Sequence, residues 1–123
     1  MYYTLHIMKF GKYIKNTREA KSETSQGFSL RKVATAIEVE PSFLSKVERD
    51  LVAPPSEAKI IALAYYLEED PDVLLAMAGK VSSDLQDIIR KRPKLFADLI
   101  RQLKTHPDHA VLKLVREVKD GEW

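Results

Sequence analysis

Apolar residues recur along most of this chain at intervals of three and four, the period of helices that bury one face. Phe10, Tyr13, Ile14 and Thr17 predict a helix over about 10–21, with Lys9, Lys12 and Lys15 on its other faces. Leu30, Val33, Ala34 and Ile37 predict a second helix, opened by Ser29, whose hydroxyl is free to accept a backbone N–H of the first turn. Val39 follows in a turn, and Pro41 occupies the first position of the next helix, where proline is accepted. This third helix, about 41–49, turns Leu44 and Val47 inward and leaves Ser42, Ser45, Lys46 and Arg49 outward. A short helix with a proline-fixed start and small or basic outward residues has the form needed to enter a DNA major groove.

The same period returns late in the chain. Ser83 with Gln86 three residues on makes a capping-box pattern ahead of Leu85, Ile88 and Ile89. Pro93 restarts a helix carrying Leu95, Phe96, Leu99, Ile100 and Leu103. Pro107 opens another with Val111, Leu114, Val115 and Val118 on one stripe, and Gly121 lies just beyond its end. At the other end, Tyr3, Leu5 and Ile7 alternate with Tyr2, Thr4 and His6, a pattern that suits a short strand. A lone strand is unstable, so residues 1–7 are expected to pair with another chain or, the favoured reading, to form a flexible arm.

The segment S-L-R-K-V-A-T-A-I-E-V-E-P-S-F-L-S-K-V-E-R-D-L-V-A-P-P resembles the helix-turn-helix of Cro and lambda-repressor-like regulators, the XRE family. The resemblance extends upstream through Phe10–Lys21 and downstream through P-S-E-A-K-I-I-A-L-A-Y-Y-L-E-E-D-P-D-V-L-L-A-M-A-G to Gly79. It therefore covers more than half of the chain. It implies a five-helix lambda-repressor-like DNA-binding domain (9–79); with the N-terminal arm (1–8) and the C-terminal helical extension (80–123), which lie outside the family pattern and are read from their own residues, the expectation is an all-α protein.

By the same resemblance, Pro41, Ser42, Ser45 and Lys46 face base edges, while Ser29, Arg31, Lys32 and Arg49 hold the DNA backbone. Lys46 suits guanine O6 or N7, and the serines suit any base, so specificity per half-site is expected to be moderate. Phe43 either packs at the core edge, the favoured reading, or touches a sugar or thymine methyl. Arg18 and Glu48 match a pair that the family buries between helices one and three, which assigns them to the fold rather than to DNA.

The chain departs from the family in several places. Glu38, Asp50 and Glu69 stand where glycine is usual, and each costs about 1 kcal/mol if its backbone is left-handed. The loop S-E-T-S-Q-G-F is longer than the family's link and is expected either to move freely or to touch DNA. The loop L-V-A-P-P lacks the basic residues that relatives often place there. Weak binding by one domain makes a homodimer the expected unit. Phe96, Leu99, Leu103 and Leu114 are the candidate dimer-interface residues, the other option being that the tail packs back on residues 55–78.

Charge and composition narrow the remaining classes. The 123 residues carry a net charge of only +2, too little by itself to indicate nucleic acid. Its distribution says more: residues 1–28 hold five basic against two acidic side chains, 80–105 hold seven against three, and 51–79 hold one against five. With no cysteine, disulfides and thiolate metal sites are excluded, in keeping with a bacterial or phage cytoplasm. No apolar run reaches the length of a bilayer span. His106, Asp108 and His109 flank a helix start without a third histidine nearby, so no metal site is expected. No nucleophile triad, paired-carboxylate context or glycine-rich phosphate loop appears, and neither an enzyme nor a cofactor is expected.

The leading expectation is a transcriptional regulator, most simply a repressor, bound to double-stranded DNA. The alternative is an antitoxin-like or adaptor protein whose tail binds a toxin or other protein partner and whose DNA binding serves autoregulation.

Overall fold

Proline and short polar side chains set where the helices of this protein begin. The computed structural model describes residues 8–123; the arm and strand expected at 1–7 fall outside them. The described residues are all-α, with eight helices and no strand: α1 (Phe10–Ser22), α2 (Leu30–Ala36), α3 (Pro41–Glu48), α4 (Glu57–Leu67), α5 (Pro71–Met77), α6 (Ser83–Lys91), α7 (Pro93–Leu103) and α8 (Asp108–Asp120). Ser29, Ser56 and Asp70 each accept a first-turn N–H, from Lys32, Lys59 and Asp72 respectively. Pro41, Pro71 and Pro93 fill positions whose N–H would have no partner in the helix. The first helical residue of α6 is Ser83 itself, so the flanking position falls to the buried Ser82, one residue earlier than the capping pattern predicted.

Four successive helices end with one device. After α2, α3, α4 and α5 the chain passes through a left-handed residue: Glu38 (φ 59°), Asp50 (φ 56°), Glu68 (φ 60°) and Gly79 (φ 73°). Each time, the N–H of that residue bonds three residues back. The next N–H bonds five back: Val39 to Ala34, Leu51 to Lys46, Glu69 to Ala64 and Lys80 to Leu75, at 2.8–2.9 Å. This is the Schellman closure, which satisfies the last carbonyls of a helix and usually takes glycine at the left-handed position. Three of the four positions are acidic here. The third is Glu68 rather than the expected Glu69, because α4 ends on the buried Leu67 and the next residue takes the left-handed turn.

The chain divides into two compact units between Ser82 and Ser83. The first contains the whole buried apolar core, including Ile14, Val33, Leu44, Val47, Ile60, Leu63, Leu67 and Leu74. Its α4 packs on α5, and α3 packs on both α1 and α2. Lys80 Nζ donates to Pro55 O at 3.1 Å, which ties the end of this unit to the loop before α4. Among the described residues the second unit comprises α6–α8, and none of these residues is buried. Gly121 ends α8 in an extended conformation (φ −74°), so the last helix does not close by the left-handed device. Among the described residues no helix is long and apolar enough to cross a membrane.

Candidate nucleic-acid interface

The inner face of α3 determines what its outer face presents. Leu44 and Val47 are buried in the core, and Phe43 is half-buried against its edge. Glu48 is 5 % exposed and meets Arg18 of α1, itself 8 % exposed. The pair is bidentate, with Arg18 Nε donating to Glu48 Oε2 at 2.6 Å and Nη2 to Oε1 at 2.9 Å. The remaining guanidinium nitrogen, Nη1, donates to Phe28 O at 3.2 Å. The hydrogen bonds to Glu48 raise the Arg18 pKa above an arginine's ordinary value, against the opposing effect of burial. A group whose folded pKa is raised contributes stability below its unfolded pKa and loses it only as pH climbs past the folded one. For arginine that window is strongly alkaline, so the guanidinium stays charged at neutral pH.

With that face held, α3 turns Ser42 and Lys46 fully outward, with Pro41 and Ser45 half-exposed beside them. Arg49, at the C-terminal end, is exposed, but its Nε donates to Ser45 O at 3.3 Å, folding the side chain along its own helix. On α2, Arg31 and Lys32 are exposed. The Ser29 hydroxyl accepts the Lys32 N–H at 3.2 Å, so its oxygen is engaged as a helix cap. The structure thus places the eight expected DNA-facing residues on α2, α3 and their immediate flanks. The four expected interface residues lie in the other unit. Leu99, Leu103 and Leu114 line a groove of about 240 Å³ with Gln102, His106 and Ala110. Phe96 is half-buried and does not line it.

Several contacts that position α2 and α3 had no visible partner in the sequence. Asp50 Oδ1 accepts the Gly11 N–H at 2.8 Å, so a residue from the end of α3 caps the first turn of α1. Gly11 is required there: a Cβ would lie 2.0 Å from Val47 O. Lys59 of α4 reaches across to Ile37 O at 2.8 Å and Glu38 O at 3.2 Å, holding the turn between α2 and α3.

The loop before α2 is anchored at its far end. Tyr66 Oη donates to Gly27 O at 2.5 Å, and the Tyr66 ring stacks at a tilt on Phe28, centroids 5.4 Å apart. Tyr13 Oη donates to Glu69, which ties α1 to the end of α4. The polar stretch 22–26 remains exposed. Comparison of the chain with protein-family models, with curated proteins and with solved structures found no match.

Proposed function

We propose that residues 9–79 form a five-helix DNA-binding domain of the Cro and lambda-repressor-like kind, with α3 as its reading helix. The observation that carries this reading is the division of α3 into a locked inner face and a small, polar outer one. An eight-residue helix is about 12 Å long, close to the width of the major groove. Large outward side chains would hold it away from base edges, whereas Ser42 and Ser45 permit close approach and Lys46 supplies a donor for guanine. Arg31 and Lys32, with the first turn of α2, are the backbone contacts. The unit is a homodimer on an inverted repeat, most simply a repressor, associating through the tail face that includes Leu99, Leu103 and Leu114.

Fluorescence anisotropy of the full chain on its upstream DNA, with random DNA as control, tests this across a salt series. Selective binding that Lys46→Ala weakens by about 1–3 kcal/mol, with relaxed base preference, is the expected result. Equal, weak and steeply salt-dependent binding to both duplexes would leave only phosphate attraction and defeat the reading.

A second reading rests on the tail. Leu95 (66 % exposed), Ile100 (58 %) and Val118 (61 %) lie open on amphipathic helices, as they would on a protein that grips a different partner, such as a toxin, through α7 and α8. A partner that binds only when α6–α8 are intact, with no self-association of the chain alone, favours it.

A further inference from the structure

The bend between α6 and α7 carries R-K-R-P-K, Arg90 to Lys94, with every residue exposed. Its backbone is held on both sides: Arg92 N–H bonds Ile89 O at 3.1 Å to close α6, and Phe96 N–H bonds Arg92 O at 3.0 Å to open α7. Pro93 fixes the start of α7. Arg90 is committed along its own helix, donating to Asp87 at 2.9 Å and Gln86 at 3.2 Å. Lys91, Arg92 and Lys94 bond to no side chain among the described residues. A braced backbone thus displays three uncommitted cations within four residues, with no acidic residue among them.

The other unit gives this cluster its meaning. Several of its cations are already engaged: Arg18 by Glu48, Lys21 by Glu68 at 3.6 Å, Lys59 by two carbonyls and Lys80 by Pro55 O. The loop Leu51–Pro55 has no basic residue. Like charges gathered on one exposed bend repel one another, and an anion lying against them relieves that repulsion; a repeating array of phosphates is the polyanion that matches several cations at short spacing.

We propose that the α6–α7 bend is a second DNA-binding surface, holding the phosphate backbone of a duplex through Lys91, Arg92 and Lys94. The proposal takes its polyanion from the reading of this chain as a DNA-binding protein, but it does not depend on α3 as the reader. Contacts of this kind add affinity and register without sequence preference.

The test measures salt dependence of full-chain binding to a random duplex and to the upstream duplex, for wild type and for a triple variant, Lys91→Gln, Arg92→Gln and Lys94→Gln. Each phosphate neutralised contributes about 0.9 to the log–log slope, so the triple variant should lose about 2–3 from the slope per chain on both duplexes. Arg92→Gln alone should lose about 0.9, and Lys91→Arg with Lys94→Arg should lose nothing. These milder variants decide the matter if the triple variant fails to fold, as judged by circular dichroism. Unchanged slopes in the neutralised variants overturn the proposal. So does a variant that loses binding to phosphatidylserine vesicles while its DNA slope is intact, which would make the bend a membrane contact. A wild type that shows no preference for the upstream duplex, yet has the bend-dependent slope, defeats the α3 reading and leaves this proposal standing. Absence of DNA binding at low salt overturns both.

Discussion

Residues 8–82 and residues 83–123 are built from similar amphipathic helices, yet only the first set has an interior. In the first, α1–α5 surround Ile14, Leu44, Leu63, Leu67 and Leu74, all buried, and charged side chains enter the structure only with partners. In the second, no residue is buried, and the apolar stripes of α7 and α8 lie substantially open. The difference teaches that helical periodicity specifies which face is apolar but not that the face is covered within the same chain. Isolated helices of 9, 11 and 13 residues are marginal in water, since nucleation is costly and burial of the apolar face supplies most of the stability. The tail therefore gains most from whatever covers it, whereas the first unit already holds a buried core.

The contrast is broken most severely at the buried ion pair. Glu48→Ala strands the Arg18 guanidinium among core residues and should lower unfolding free energy by about 3–5 kcal/mol in urea denaturation. Replacing both partners by apolar residues of similar volume should cost far less, because the penalty lies in the unpaired charge. Equal losses from the single and double variants would show that packing, not charge, dominates there.

Next in size are the left-handed helix ends, which sort by whether the acidic side chain has other work. Glu38→Gly should stabilise the unit by about 1 kcal/mol, since strain is relieved and no side-chain bond of Glu38 is lost. Asp50→Gly should be close to neutral, because the same relief is offset by loss of the cap on Gly11, worth about 1 kcal/mol. Matched urea midpoints for the two variants would contradict the capping role of Asp50.

The smallest effect belongs to the tail. Leu99→Ala should change stability by less than about 1 kcal/mol in dilute protein, because its side chain is already partly in water. If copies associate through α7 and α8, the cost grows with protein concentration as the face becomes covered. Denaturation at two concentrations separated a hundredfold reads the difference directly.

Much of this was legible from residue order. Helices α2 and α3 begin where Ser29 and Pro41 place them, and the Arg18 and Glu48 pairing was expected from resemblance. The left-handed residue after α4 was misplaced by one, because glycine-like positions are local in backbone but set by the last buried side chain, here Leu67. The cap from Asp50 to Gly11 and the grip of Lys59 on the α2–α3 turn were not legible. Their partners lie 39 and more than twenty residues away, and sequence distance carries no information about which helix ends meet.

By itself, then, the sequence determined the helical period, the starts of α2 and α3, the absence of cysteine chemistry and the polar outer face of α3, since each depends on neighbours within a turn or two. Only the tertiary structure decided which acidic residues are spent on helix ends, which cations are engaged and which remain free at the α6–α7 bend, and that the tail finds no interior of its own. Burial and charge pairing depend on elements far apart in the chain meeting in space, and that meeting is a property of the fold.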